Sequence, residues 1–195
     1  MQCIEETQSL AKRLAAIPQL KVFDTWSNFI LFKILDARVN SIQLRDHLLS
    51  LLQGRNAHIS FDDFVKDFPA KVCGQEIEGL PYTAWQVLEH IRIAQWDIVN
   101  FIKNPDYEEL KWPEGYWPAK NAKATKEDWE NTLARFKSDL REMIAIVRNP
   151  RTDLHAKIPH GDGQTILREA ILIVDHNTYH IGEFAILRQV AKHWS

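Results

Sequence analysis

The sequence predicts an all-α fold, a four-helix bundle with long crossover loops that follows an N-terminal appendage. Three observations lead to this prediction. Four long segments carry apolar residues at intervals of three and four, the spacing of one helix face. Each segment begins at a residue type that caps helices, and three of the four end at a glycine or at an Asn-Pro pair. In a bundle, such apolar faces are buried against one another.

Residues 1–40 form the predicted appendage, because the long segments with a helical pattern of apolar residues begin only after them. A stretch of helix-forming composition ends at Pro18. Residues 21–23 and 29–34 favour two short strands around a turn, a short β-hairpin. The bundle domain is then predicted to occupy residues 41–195.

The first bundle helix is predicted to begin at a cap on Asn40 or Ser41 and to end at Gly54. A shorter helix follows, because Ser60 is a favoured capping residue and Asp63 stands three residues after it.

Two capping boxes predict the starts of the next two long helices. Thr83 is followed three residues later by Gln86, and Thr125 is followed three residues later by Asp128. Both segments end before an Asn-Pro pair, where helices commonly stop. Thr165 is the predicted cap of the last helix, which is expected to reach about residue 192.

Composition excludes several classes of protein. The 195 residues include 24 Lys and Arg against 26 Asp and Glu, a net charge of −2, and they form no basic stripe for nucleic acid. Cys3 and Cys73 form no CxxC pair, which argues against a disulfide framework and a thiolate metal site. No apolar run could span a membrane, and the N-terminal residues lack a basic segment followed by an apolar signal core, so we expect a cytoplasmic protein.

Three histidines predict a metal site. His176 and His180 are four residues apart on the last predicted helix, so their side chains lie one above the other. His90 lies beside the apolar face of another long helix and completes a set of three. Neutral imidazoles suit zinc, nickel, copper or iron, with manganese a further divalent option, and three protein ligands leave positions open for water or substrate. The alternative is a set of surface or hydrogen-bonded core histidines.

The residues around the last two histidines bear on the reaction. Asn177 stands where the zinc-protease motif HExxH has its glutamate base, so the protease class is excluded. Glu183, Glu169 and Asp97 lie one or two helical turns from a histidine and are candidates to orient an imidazole or accept a proton. For each of them, a solvated carboxylate is the alternative.

The segment of residues 105–125 is predicted to cover one end of the bundle. It contains three prolines and a glycine, together with three large aromatic residues: Pro105, Pro113, Pro118, Gly115, Trp112, Tyr116 and Trp117. Such a segment is too irregular for a helix and too apolar for a free linker. It is either a loop held down by its aromatic side chains or a substrate lid.

From residue 41 to residue 194 the sequence resembles the DinB-like family of bacterial four-helix-bundle proteins. The resemblance rests on LPYTAWQVLEHI with AQWD, on KWPEGYWP, and on PHGDGQT running into DHNTYHIGE; these motifs begin at residues 80, 94, 111, 159 and 175. In that family, one histidine of the second long helix and two of the last bind a divalent metal. The resemblance places those ligands on His90, His176 and His180.

The resemblance implies less about the reaction. It implies a homodimer that acts on a small molecule, either as a metal-dependent hydrolase or as an S-transferase that uses a low-molecular-weight thiol. The alternative is a non-catalytic, stress-related bundle in which the metal is structural or absent. The family pattern does not cover the first 40 residues.

Overall fold

The computed structural model describes residues 25–54, 57, 60–66 and 68–190. Its elements, in chain order, are α1 (Thr25–Leu52), α2 (Phe61–Val65), a single 3-10 turn (Ala70–Val72), α3 (Ala84–Lys103), α4 (Lys126–Arg148) and α5 (Ile166–Val190). Within the described residues there is no strand, and the only β-type pairing is an isolated bridge between Lys157 and Thr165. The prediction of an all-α fold is therefore confirmed.

The predicted second strand of the appendage is wrong, because residues 29–34 are helical and belong to α1. A short run that is apolar on both faces fits a buried strand and a helix equally well, so periodicity alone does not separate the two. The predicted cap at Asn40 or Ser41 is also wrong, since α1 continues through both residues. The first predicted strand, residues 21–23, and the helix-forming stretch before Pro18 lie outside the described residues.

The chain divides into two compact units, Met1–His47 and Leu48–Ser195. The described part of the first unit is the helical backbone of residues 25–47. The predicted limits of the appendage, residues 1–40, stay a prediction. All further description concerns the second unit.

Helix ends follow the capping signals of the sequence. The hydroxyl oxygens of Thr83 and Thr125 each accept a hydrogen bond from the backbone three residues on, and Gln86 and Asp128 accept one in return, so both predicted capping boxes are present. The Ser60 hydroxyl caps α2 in the same way by accepting from the Asp63 amide at 3.1 Å.

Gly54 ends α1 at a positive φ of 65°, a conformation that glycine adopts without steric cost. Thr165 accepts a hydrogen bond from the Arg168 amide at 3.2 Å and begins α5, as predicted. The predicted end of α5 near residue 192 lies outside the described residues.

Buried apolar side chains form two clusters. The first joins α2, the first half of α3, the first half of α4 and the last turns of α5; its largest members with less than 2% exposure are Phe64, Phe136 and Phe184. The second joins the end of α1 with the second halves of α3 and α4 and the start of α5, around Met143 and Val147. Helix α5 therefore runs from the second cluster to the first, opposite in direction to α3 and α4.

A polar chain lies between the two clusters. The Gln95 side-chain amide donates to the Phe136 carbonyl at 2.7 Å, and the Asn177 amide donates to Gln95 Oε1 at 2.9 Å. These bonds join α3, α4 and α5 at one level of the interior. His176 and His180 lie at the same level, since they fall between Ile173 of the second cluster and Ile181 of the first.

Among the described helices, none combines the length and the apolar character needed to cross a bilayer.

Candidate metal centre

The three histidines selected from the sequence meet in space. His90 comes from α3, whereas His176 and His180 come from successive turns of α5. The Nε2 atom of His90 lies 3.1 Å from that of His176 and 3.2 Å from that of His180. One ring nitrogen from each of the three lies within 4.8 Å of the others, and the rings of His90 and His180 are buried.

Hydrogen bonds at the far side of two rings decide which nitrogen faces the centre. His90 Nδ1 lies 2.8 Å from the carbonyl oxygen of Tyr116, which can only accept, so Nδ1 carries the proton. His180 Nδ1 lies 2.7 Å from Glu183 Oε2 and donates to that carboxylate in the same way. In the neutral form of each ring, Nε2 therefore presents a lone pair to the other histidines.

Burial keeps two of the rings neutral. It lowers the pKa of His90 to about 4, partly opposed by the hydrogen bond to Tyr116. Burial is also the main cause that lowers the pKa of His176 to about 3, and the neighbouring His180 and His90 lower it further. At neutral pH these imidazoles are therefore uncharged, which is the form that binds metal.

The donor set fits a divalent cation. The Nε2 lone pairs of His90 and His180 lie 3.2 Å apart with no proton between them, so they repel each other. Nitrogen atoms at the usual 2.0–2.1 Å from a tetrahedral zinc ion would lie about 3.3 Å from each other. The observed separations are therefore close to those of a filled site, and a cation would convert the repulsion into attraction.

The loop between α3 and α4 covers His90. The Trp117 ring stacks on the His90 ring with centroids 3.8 Å apart and planes 5° apart, and Tyr82 stacks on the other face of Trp117 at 4.1 Å. The Gln86 side-chain amide donates to the carbonyls of Ala119 and Lys120 at 3.3 and 3.0 Å. These contacts support the prediction of a loop held down by its aromatic residues, while the substrate lid stays a prediction.

Asp97 anchors the same loop. Its carboxylate accepts hydrogen bonds from the Tyr116 hydroxyl at 2.8 Å and from the Tyr107 hydroxyl at 3.1 Å. Burial raises the pKa of Asp97, and these two hydrogen bonds oppose the rise. Burial and the nearby carboxylate raise the pKa of Tyr107 to about 12 and that of Tyr116 as well, so both hydroxyls remain donors. Tyr116 thus binds Asp97 through its hydroxyl and His90 through its carbonyl.

A cleft of about 330 Å³ reaches the centre. Two of the three histidines, two carboxylates, two aromatic rings and three apolar side chains line it: His90, His176, Asp97, Glu109, Trp112, Tyr116, Ala94, Ile98 and Leu172. Small-molecule sites are commonly clefts of this size, mostly apolar with a few polar groups. The loop therefore covers one side of the centre without sealing it.

The three carboxylates predicted near the histidines have different surroundings. Glu183 contacts His180 directly, and Asp97 lies in the cleft and reaches His90 through Tyr116. Glu169 is 2% exposed and pairs with Arg168 at 2.6 Å, rather than with an imidazole. The structure therefore joins Glu183 and Asp97 to the centre, but not Glu169.

Three further polar residues, His160, Cys73 and Asn177, each have a hydrogen-bond partner. His160 Nε2 lies 2.6 Å from the Phe101 carbonyl, so this ring joins the loop before α5 to the end of α3. Cys73 is buried, its Sγ lies 3.5 Å from the Thr125 carbonyl, and burial raises the pKa of its thiol. Such a thiol is a poor nucleophile. The Asn177 side-chain amide donates to Gln95.

The contributions of Tyr116 and Trp117 were not predicted residue by residue. The sequence predicted only that the aromatic loop forms a cover. A hydrogen bond to a backbone carbonyl has no signature in residue identity, and ring stacking depends on the exact path of the loop. The proximity of several aromatic residues to a predicted site was the only signal.

Comparison of the chain with protein-family models, with curated proteins and with solved structures found no match.

Proposed function

We propose that this protein is a metal-dependent enzyme in which His90, His176 and His180 hold one divalent cation. One observation carries the proposal: the three imidazoles converge, with the Nε2 atoms of His176 and His180 at 3.1 and 3.2 Å from that of His90, and these separations suit a shared ion. Zinc, nickel, iron and manganese are the ions proposed, because imidazole ligation alone does not select among divalent metals.

We further propose that residues 41–195 form a four-helix bundle of the DinB-like type. The motifs of the sequence support this, and so do the two apolar clusters, to which α3, α4 and α5 each contribute. The end of α1 contributes Leu48 and Leu52 to the second cluster. The homodimer and the cytoplasmic location belong to the same proposal.

The proposed reaction is hydrolysis or S-transfer from a low-molecular-weight thiol, on a small molecule bound in the cleft. A bound divalent cation supplies the means to lower the pKa of a water or a thiol, so that a nucleophile exists at neutral pH. Residues of this chain set the geometry: Glu183 and the Tyr116 carbonyl orient two imidazoles, and the cleft admits the substrate beside His90 and His176. Orientation of this kind normally strengthens metal binding.

Metal content tests the site. The untagged protein, the His176→Ala variant and the His155→Ala variant would be purified alike and analysed by elemental mass spectrometry. His155 is the matched control, because its exposed side chain lies outside the cluster. We expect a similar content of one divalent metal in the wild type and in His155→Ala, and a loss of most of it in His176→Ala. Equal metal content in all three proteins would refute the site.

Turnover separates the enzyme from a non-catalytic bundle. The metal-loaded protein would be incubated with esters, amides and thiol-acceptor pairs, and His176→Ala would serve as the inactive reference. Turnover that disappears in His176→Ala and persists in His155→Ala supports the enzyme. Metal binding without turnover of any of these compounds would favour the non-catalytic alternative.

A further inference from the structure

The charged residues that line the cleft beside the histidines are all acidic. Asp97 and Glu109 are among the described residues of its wall, and no lysine or arginine is. None of the ion pairs between described residues includes either carboxylate. The possible metal-ligand atoms that lie within 4.8 Å of one another belong to the three histidines, so the carboxylates of Asp97 and Glu109 both lie outside the histidine cluster. The cleft therefore holds two acidic groups without a basic partner.

Aromatic faces accompany these carboxylates. Trp112 is 68% exposed although its ring is large and apolar, and its centroid lies 5.5 Å from that of Tyr116, with the ring planes 52° apart. Ala94, Ile98 and Leu172 complete an apolar wall. Two inclined aromatic rings beside carboxylates form a surface that attracts a cation, because the ring face is electron-rich and the carboxylates add their charge.

In the metal-free protein, an anionic ligand is disfavoured at the same place. A carboxylate or phosphate that entered the cleft would leave water and approach Asp97 and Glu109 without a basic side chain to offset the repulsion. A neutral ligand would gain from the apolar wall alone. A cationic ligand gains from the wall, the rings and the carboxylates together.

We propose that the substrate of this cleft carries a positive charge, as an ammonium or guanidinium group, which lies against Trp112 and Glu109 while another part of the molecule reaches the histidines. This inference rests on the proposed function for the role of the histidines, but the selection of a cation depends only on the cleft.

Three isosteric probes test the proposal. Choline carries a quaternary nitrogen, 3,3-dimethylbutan-1-ol has carbon in its place, and 3,3-dimethylbutanoate is the anionic relative. Quaternary nitrogen has no lone pair, so choline cannot bind a metal through it. Titration followed by calorimetry or by protein NMR is expected to show choline binding roughly fivefold more tightly than the neutral alcohol. The carboxylate is expected to bind most weakly in metal-free protein.

Matched variants locate the selectivity. Glu109→Gln and Trp112→Leu are expected to bring the affinity ratio of choline to the alcohol close to one. Glu108→Gln and Trp96→Leu are the controls, because these side chains are also exposed but do not line the cleft. Both controls are expected to keep the wild-type ratio. All four substitutions are at exposed positions, so folding is expected to be retained.

The outcomes separate this inference from the proposed function. Each protein would be titrated metal-loaded and after chelation, and its metal content would be measured in the same samples. Preference for choline in a protein that binds no metal would uphold the cleft and overturn the metal-dependent enzyme. Metal binding with no preference for choline, or a preference unchanged in Glu109→Gln and Trp112→Leu, would overturn the cationic substrate.

Discussion

His90 and His180 are each held at the nitrogen that faces away from the centre. One is held by a backbone carbonyl, that of Tyr116, and the other by the carboxylate of Glu183. The two acceptors differ in charge, since a carbonyl carries only a partial charge whereas a carboxylate makes its partner ring more basic. Only the acceptor of His180 is a side chain, so only that hydrogen bond can be altered by substituting the acceptor residue.

Substitution of Glu183 by glutamine is expected to weaken metal binding. The amide oxygen can still accept from His180 Nδ1, so the ring keeps its orientation but loses the ionic partner at 2.7 Å. Loss of such a partner typically lowers metal affinity by roughly 10–100-fold, and the conservative change places the expected effect near the lower end, roughly tenfold. Competition with a chromophoric chelator would measure it.

Glu130→Gln is the control for that experiment. Glu130 is exposed on α4, where it pairs with Lys126 at 3.3 Å, and it lies outside the histidine cluster. Its removal also deletes one surface carboxylate, so it corrects for the change in net charge. Equal affinities in the two variants would show that Glu183 does not support His180.

The sequence predicted which three histidines converge and, of the two groups that hydrogen-bond to their rings, it predicted only Glu183. The spacing of His176 and His180 follows from helix geometry, and the position of His90 beside an apolar stripe indicated an inward direction. Glu183 was among the candidates because it stands less than one turn from His180. Tyr116 was not, because its bond to His90 is made by a backbone atom that every residue possesses.

Among the helices, those that begin at a capping box were predicted most closely. The starts of α3 and α4 agree with the sequence because each depends on two residues three positions apart, a purely local interaction. The predicted start of α1 was wrong, because Asn40 and Ser41 lie inside the helix and do not cap it. The apolar run of residues 29–34 fits a strand and a helix equally well, so its pattern was ambiguous. Local signals therefore sufficed wherever a helix end carried its own cap.

The cap of α4 is expected to make stability depend on pH. Asp128 accepts hydrogen bonds from the Thr125 amide and hydroxyl at 2.8 and 2.7 Å, and these lower its pKa below the ordinary value of 3.8. A carboxyl whose pKa is lower in the folded state stabilises that state above its unfolded pKa. The stabilisation is lost as the pH falls through the folded pKa.

Asp128→Asn tests this dependence. We expect the variant to have a lower free energy of unfolding than the wild type at pH 7, and the difference to shrink as the pH falls below about 4. Urea unfolding across this pH range would measure it. Glu127→Gln is the control, since Glu127 is also acidic and lies in the same first turn, but the cap hydrogen bonds are made by Asp128. A difference for Asp128→Asn that stays constant with pH, or one equal to that of the control, would contradict the assignment.

For the second compact unit as a whole, the apolar cores and the histidine centre are separate. Each cluster of buried apolar residues joins several helices through apolar side chains alone. Burial of large apolar side chains such as Phe64, Phe136 and Phe184 contributes about 1.5–3 kcal/mol each. The fold is therefore expected to persist without metal.

Chelation tests this independence. We expect metal removal to lower the midpoint of thermal unfolding, because a ligand present at 100 times its dissociation constant stabilises by about 2.7 kcal/mol. The helical circular dichroism at 25 °C is expected to remain. The His176→Ala variant should not respond to the chelator, which controls for its other effects. Loss of helicity on chelation would show instead that the metal is structural.

The stack of Trp117 on His90 has an optical consequence. An ion held by Nε2 of His90 would lie close to the indole, whose ring centroid is 3.8 Å from that of the imidazole. Ions with unpaired d electrons, such as those of nickel, copper and iron, commonly quench an excited indole at short range, whereas zinc has a filled d shell. The emission that is lost when Trp117 is replaced by phenylalanine therefore reports both the occupancy of the centre and the electronic class of the ion.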